Sequence, residues 1–360
     1  MYKLQCTNYK LCSRRRVSRK WSPYLYIVIC TFYIVSLAGC ASTQPESRTR
    51  DGLLGTVITL TLYDHAPDAV FGAMFDRIGA IEDEMSVNLA DSEISAVNAA
   101  AGLKSVTVSD ETFALLRAAR DIAALSDGAF DPTVEPLVKL WGIGTPDAHV
   151  PLPEEIAAAR ALIGYRDLTL GEDNGVFLAR ENMGLDLGGI AKGYAGDEVL
   201  RVAREAGVQH AVLDLGGNIV VCGGRPDGKP WRIGLKNPEP GADGYFGVVS
   251  LFDGAVVTSG GYERYFIEDG VTYHHIFDPQ TGYPADSGLK AVTIVDDNST
   301  QADGLSTACF VLGLTRGMDL LGRIDGAEGV FVTDDNKVYV TPGLADRFEM
   351  TDGAYEFMQN

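Results

Sequence analysis

Positive charge is scarce over most of this chain. Its 360 residues hold 30 Lys plus Arg against 49 Asp plus Glu, a formal net charge of −19. Seven of the basic residues (Lys3, Lys10, Arg14, Arg15, Arg16, Arg19 and Lys20) precede position 40, where no acidic residue stands; without those seven the remainder carries −26. A body so acidic repels phosphate backbones, which argues against nucleic acid as the main partner. A phosphorylated ligand would need a local device: a metal ion, helix N-termini or a few placed cations. Cysteine is sparse as well. Cys6, Cys12 and Cys30 lie in the first forty residues, and beyond Cys40 only Cys222 and Cys309 follow. Two distant thiols make no disulfide framework, and neither has a CxxC or Cys/His neighbour to suggest zinc. Nucleotide-binding loops of the common kinds are missing too. Lys192 is followed by Gly193 rather than Ser or Thr, so residues 188–193 are not a P-loop, and no GxGxxG follows a strand. No internal repeat is visible. What is present is ordinary for a globular protein, 46% hydrophobic and 22% charged, long enough for one large domain or two intimately packed ones.

The first forty residues read as an address. A basic head (residues 1–20) precedes an uncharged, mostly apolar run (residues 24–37), which meets Leu37-Ala38-Gly39-Cys40. The run is shorter than the ~20 residues a membrane-spanning helix needs, and the small residues before Cys40 describe a secretory signal with a cut site. The Leu-Ala-Gly-Cys ending resembles a bacterial lipobox. That resemblance implies a signal peptide over residues 1–39, diacylglycerol on the Cys40 thiol and an acylated new N-terminus. An uncleaved N-terminal anchor is the alternative; both place the body outside the cytoplasm. Residues 40–51 read as a polar tether, and residues 52–360 as the folded domain.

Hydrophobic periodicity organises that domain. Residues 54–63 read as a strand. Val70, Phe71, Met74, Ile78, Ile81 and Met85 share one face of a helix over 67–85. Ser109-Asp110 opens a second helix with Gly128 beyond its end; 153–162 and 189–206 read as a third and fourth. Strands dominate from about 210 to 295, a helix follows over 300–312, and strands return near 329–333 and 337–341. Long helices with many hairpin signals, and no regular βαβ alternation, predict a mixed α+β domain with largely antiparallel sheet.

Gly and Asp cluster at the junctions: 128–133 (Gly-Ala-Phe-Asp-Pro-Thr), 186–194 (Asp-Leu-Gly-Gly-Ile-Ala-Lys-Gly-Tyr), 214–218, 258–264, 274–282 (His-His-Ile-Phe-Asp-Pro-Gln-Thr-Gly) and 302–308 (Ala-Asp-Gly-Leu-Ser-Thr-Ala). Singly, each is an ordinary turn. Together and in this order, with the upstream block Asp91-Ser92-Glu93-Ile94-Ser95 ending at Asn98, they resemble the FAD:protein FMN transferase (ApbE) family over about residues 54–313. The resemblance implies an extracytoplasmic lipoprotein on the periplasmic side of a bacterial membrane. It implies FAD as substrate and Mg2+, or Mn2+, as the ion. FMN would pass through its phosphate to a Ser or Thr hydroxyl on a client protein, with AMP released; the family's clients are flavoproteins of membrane redox complexes.

Residue by residue, the chemistry reads as follows. Asp303 and Thr307 are four apart on a predicted helix and share a face, so a carboxylate and a hydroxyl can hold one side of a hard cation. The resemblance adds the Gly189 carbonyl and, at the edge, Ser306. The plainer alternative is that Asp303 caps its own helix near Thr300. Lys192 either meets the diphosphate, pairs with Asp186 or is a solvated helix lysine; the resemblance puts Asp186 and Lys192 at the FAD site. It puts Ala129, Phe130, Asp131, Leu54 and Ile276 there too, Phe130 offering a flat ring (or ordinary core packing) and Asp131 accepting hydrogen bonds from a ring or ribose. It places Asn88 at the FAD site as well, where the family often has an aromatic; ring stacking there is in doubt, and Asn88 either hydrogen-bonds the cofactor instead or contributes nothing. His275 is the candidate base for the client hydroxyl, its rival being a hydrogen-bonding strand histidine. Tyr262 and Arg264 are placed along the same cleft. Two other functions fit this set: the same metal site with water as acceptor, a FAD diphosphatase giving FMN and AMP; and a non-catalytic lipid-anchored FAD carrier. Retention of Asp303, Thr307 and Lys192 favours catalysis over storage.

Overall fold

The computed structural model describes residues 44–239 and 241–358. The signal segment and Cys40 lie outside the described residues. At the centre is a nine-stranded sheet: β1 (Glu46–Asp51), β2 (Val57–Leu62), β3 (Ala211–Leu215), β4 (Asn218–Cys222), β5 (Gly254–Gly260), β6 (Leu289–Asp296), β7 (Glu328–Thr333), β8 (Lys337–Val340) and β9 (Glu356–Met358). The strands lie side by side in this order. Every neighbouring pair is antiparallel except β8 and β9. The α+β class and the antiparallel bias expected from the sequence both hold.

The helices are α1 (Asp68–Met85), α2 (Glu93–Ala99), α3 (Asp110–Leu125), α4 (Glu135–Trp141), α5 (Pro153–Arg160), α6 (Ala191–Glu205) and α7 (Ser299–Leu321). The principal core joins α1, α3, α6 and α7 to the sheet through Ile58, Leu60, Met74, Ile78, Leu116, Val199, Val257, Val292 and Phe310, all nearly or fully buried. On the other face a three-stranded sheet (Phe348–Met350, Tyr245–Leu251 and Trp231–Lys236) packs Trp231, Phe246 and Val249 against Val256 and Val295. Central strands β5 and β6 are therefore buried on both sides, which is why 291–295 is an almost unbroken apolar run. A third, smaller core forms around Trp141 of α4, whose Nε1–H donates to the Gly282 carbonyl (3.1 Å). It clamps the base of a hairpin, Tyr265–Glu268 with Val271–His274, that rises beside the site.

Three local expectations are corrected. Leu54 is not in a strand: it lies in a 3-10 turn, Leu53–Gly55, with φ 51°, and the strand starts at Val57. Residues 46–51, expected within the tether, are instead an edge strand: Glu46–Asp51 pairs along β2 despite its polar sequence. The last long helix runs on past 312 to Leu321, turning at Gly313, where φ is 77°.

α6 and α7 cross at glycines. A side chain at Gly193 would put its Cβ 2.6 Å from the Asp303 Cβ and closer still to the Ser299 carbonyl oxygen. Gly193→Ala should therefore push the helices apart and destabilise the protein by about 1–3 kcal/mol, seen as a fall in melting temperature. An unchanged melting temperature would mean the crossing has slack that the geometry does not show.

Candidate active site

Six segments converge: the Leu53–Gly55 turn, the 128–131 loop after α3, the loop 186–189 into α6, the end of β5, the hairpin end at His275 and the first turns of α7. Their convergence follows from the α6–α7 crossing. Asp303, 3% exposed, sends Oδ2 out of its own helix to accept the Gly193 N–H at 2.8 Å. It thus caps the first turn of α6, not that of α7, which is capped by Asn298 (Gln301 N–H to Oδ1, 2.7 Å). The self-capping alternative for Asp303 is excluded. Its other oxygen, Oδ1, accepts no hydrogen bond among the described residues; the nearest charge is the Lys192 ammonium at 3.9 Å.

Around that oxygen the donors are hard. Thr307 Oγ1 lies 3.4 Å from Ser259 Oγ. Gly189 abuts it: a Cβ there would sit 3.3 Å from Thr307 Oγ1 and 3.2 Å from the Phe130 ring, so only glycine fits comfortably. No group of three or more His, Cys, Asp or Glu forms a metal cage among the described residues. One carboxylate, a hydroxyl and a backbone carbonyl nevertheless suit Mg2+, which takes oxygen ligands and leaves positions for water and phosphate. Ser306, expected at the edge of this set, is fully buried and spends its hydroxyl on the Asp303 carbonyl (2.8 Å) and on Ser259 (2.7 Å). It buttresses the donors.

The second feature is His275. Its Nδ1 faces the Arg264 carbonyl at 3.2 Å, an acceptor only, so Nδ1 carries the hydrogen and Nε2 keeps a free lone pair. Burial, followed by the nearby charges of Arg264 and Lys192, pushes its pKa down to about 4, with the carbonyl bond opposing. At neutral pH the ring is an uncharged acceptor. His274 is different: Nε2 meets the Ala285 carbonyl (3.0 Å), Nδ1 accepts the Ile276 N–H (3.3 Å), and both nitrogens are used.

The remaining expected residues divide. Asp186, half-exposed, lies deep enough for burial to raise its pKa, against the opposing effects of the Gly188 N–H (2.7 Å) and Arg264. Leu54 is held in its left-handed conformation by its N–H to Glu82 Oε1 (3.1 Å), while Arg264 reaches the next carbonyl, that of Gly55 (3.3 Å). Phe130 is packed in the principal core with its ring beside Gly189, and Ala129 and Ile276 are buried. Asp131 departs from expectation. Oδ1 accepts the Thr133 N–H and hydroxyl (2.9 and 2.6 Å) and Oδ2 the Tyr165 N–H (2.9 Å), so its carboxylate shapes the loop and is turned into protein. Asn88 is exposed, with its N–H on Ser86 Oγ (3.3 Å), and no hydrogen bond or ion pair ties it to the others. Sequence reasoning missed Glu82, Ser259, Glu263 and Asp197. Glu263 lies near Lys192 and Arg264, and burial raises its pKa against both. The block ending at Asn98 finds its reason here: Asn98 exchanges two hydrogen bonds with the Leu185 backbone (3.0 and 2.7 Å), fixing the approach to Asp186.

Residues 54–331 match the model of the ApbE family. The chain belongs to that family. It is 35% identical over 347 residues to a FAD:protein FMN transferase of Treponema pallidum, covering 91% of this chain and 96% of that protein. A protein of the same name from Klebsiella pneumoniae is 38% identical over 305 residues, covering 84% and 94%. Among solved structures, the ApbE protein of Thermotoga maritima superposes with a TM-score of 0.78 at 34% identity, covering 84% of this chain and 99% of that one. The flavin transferase ApbE of Vibrio cholerae gives 0.76 at 30%, covering 84% and 100%. The ApbE match ends at residue 331, so β8 and β9 extend the sheet beyond it.

Proposed function

We propose that this ApbE protein transfers FMN from FAD to a Ser or Thr hydroxyl of an extracytoplasmic client protein and releases AMP. The observation that carries the reading is the pairing of a buried Asp303, whose Oδ1 accepts no hydrogen bond among the described residues, with a neutral His275 whose Nε2 is free, in a chain whose relatives carry the name FAD:protein FMN transferase. The client hydroxyl oxygen forms a bond to the FMN-side phosphorus, and the bond from that phosphorus to the oxygen of the AMP phosphate breaks. AMP leaves with that oxygen, and the hydroxyl proton goes to His275 Nε2. Lys192 and Arg264 supply positive charge beside the diphosphate in an otherwise acidic molecule. Asp303, Thr307 and the Gly189 carbonyl would hold Mg2+ or Mn2+, which when bound neutralises phosphate oxygens and stabilises the departing phosphate. Catalysis is then mostly positioning and charge stabilisation, and no covalent enzyme intermediate is needed. Lipid at Cys40 would anchor the domain on the periplasmic side of the membrane, where its clients are exposed.

The test incubates the purified protein with FAD, Mg2+ and a client domain bearing a Ser/Thr acceptor. Flavin fluorescence that stays with the denatured client in a gel, with one AMP released per flavin attached, is the expected result. Free FMN and AMP with an unlabelled client would establish a diphosphatase, and unchanged FAD a carrier.

A further inference from the structure

The two helices that build the cation site cap one another. Asp303 of α7 accepts the Gly193 N–H in the first turn of α6. Four residues on from Gly193, Asp197 of α6 does the same in return. Its Oδ1 accepts the Ser299 N–H (2.9 Å), and its Oδ2 accepts the Thr300 N–H (2.9 Å) and hydroxyl (2.6 Å), all in the first turn of α7. Gly193 and Asp197 lie one helical turn apart on one face of α6, and Ser299 and Asp303 are likewise one turn apart on α7. The contact is therefore reciprocal: each helix gives a carboxylate to the other's orphan N–H groups. The helices touch backbone to side chain along Gly193 and Gly196; a Cβ at Gly196 would lie 3.0 Å from Ser299 Oγ.

We infer that Asp197 is a positioning residue for the cation site, although it touches neither the ion's donors nor any substrate. α7 carries Asp303 and Thr307, and α6 carries Lys192 and follows directly from Gly189. The spacing between Asp303 Oδ1, Thr307 Oγ1 and the Gly189 carbonyl is thus the spacing between two helices. The Asp303 bond to Gly193 fixes one polar point of that crossing, with the close packing at Gly193 and Gly196 beside it. Asp197 supplies the second fixed point, one turn away, with three bonds. Removing it loosens the start of α7 against α6, so Asp303 Oδ1 and Thr307 Oγ1, which move together with α7, lose their register with the Gly189 carbonyl on the α6 side. Groups that orient metal ligands typically cost about 10- to 100-fold in metal affinity when replaced. The inference rests on the cation role given to Asp303 under the proposed function. It does not need the acceptor to be a protein.

Mn2+ serves as the probe, because its free ion can be counted by electron paramagnetic resonance in a titration without FAD. Asp197→Asn should weaken Mn2+ binding about tenfold and raise the Mg2+ concentration for half-maximal FAD cleavage by the same factor, leaving the KM for FAD within about twofold. Thr300→Val keeps both N–H bonds and loses only the hydroxyl. It should fall between wild type and Asp197→Asn, and it keeps the test open if the latter does not fold. Weaker Mn2+ binding in either folded variant supports the inference. Equal Mn2+ binding in a folded variant, even with a lowered melting temperature, overturns it by reducing Asp197 to a packing residue; so does a wild-type chain that binds no Mn2+. Equal Mn2+ binding with normal flavin transfer would leave the proposed function standing. Weakened Mn2+ binding in a variant of a wild type that labels no client would do the reverse.

Discussion

Asp303→Ala should abolish turnover. The residue is buried, and its Oδ1 accepts no hydrogen bond among the described residues, so on the proposed reading its loss removes the anionic donor for the ion. Cation stabilisation of phosphoryl charge is worth several kcal/mol, and each ~1.4 kcal/mol is a factor of ten, so the fall should reach about a thousandfold or more. A second effect accompanies it. The Gly193 N–H becomes a buried, unpaired donor, which costs about 1–3 kcal/mol and lowers the melting temperature. Asp303→Asn separates the two. The amide oxygen can still accept from Gly193, so the helix crossing survives, but the charge is gone. AMP release, FMN on client and thermal melting, measured on both variants, check this. An active Asn variant would remove the carboxylate charge from the mechanism; an inactive but fully stable one would isolate that charge as the essential property.

The same residue shows what the sequence could and could not reveal. The four-residue spacing of Asp303 and Thr307 was legible, because helical periodicity converts spacing into a shared face. The partner of Asp303 was not, since Gly193 lies 110 positions away and nothing local marks it as an uncapped N–H. Asp197 was invisible for the same reason: its bonds reach across to residues 299 and 300. Long elements with strong periodicity, α1, α3 and the central strands, emerged close to their true limits. Short ones did not. α2 and α4 have seven residues each, too few for two turns of periodicity to declare themselves. Residues 46–51 look like a linker because an edge strand with both faces wet has no hydrophobic alternation to show. Asp131 carries the most general lesson. A carboxylate inside a recognised motif suggests a ligand contact, but only coordinates reveal that Thr133 and Tyr165 already occupy it.

His275→Gln should lower flavin transfer by about 10²- to 10⁴-fold while leaving FAD binding nearly intact, the span expected for losing a general base. The side chain keeps similar length and polarity, so the change acts on proton transfer. The wild-type profile carries a sharper signature. Because burial holds His275 near a pKa of about 4, the free enzyme keeps its base deprotonated well below neutrality. The acid limb of kcat/KM should fall near pH 4, far from the 6.5 of an ordinary imidazole, and it should vanish in the Gln variant. Stability moves with it. The unfolded chain takes up the proton near 6.5 and the folded one only near 4, so this histidine's contribution is complete above 6.5 and is lost as pH falls through 4. Between those values wild type should lose more stability than His275→Gln. A histidine with an ordinary pKa would show its limb near 6.5 and no difference in acid stability. That result would mean the ring is solvated rather than buried in solution, and with it would go the reason for a neutral Nε2 to face the client hydroxyl as a base well below neutral pH.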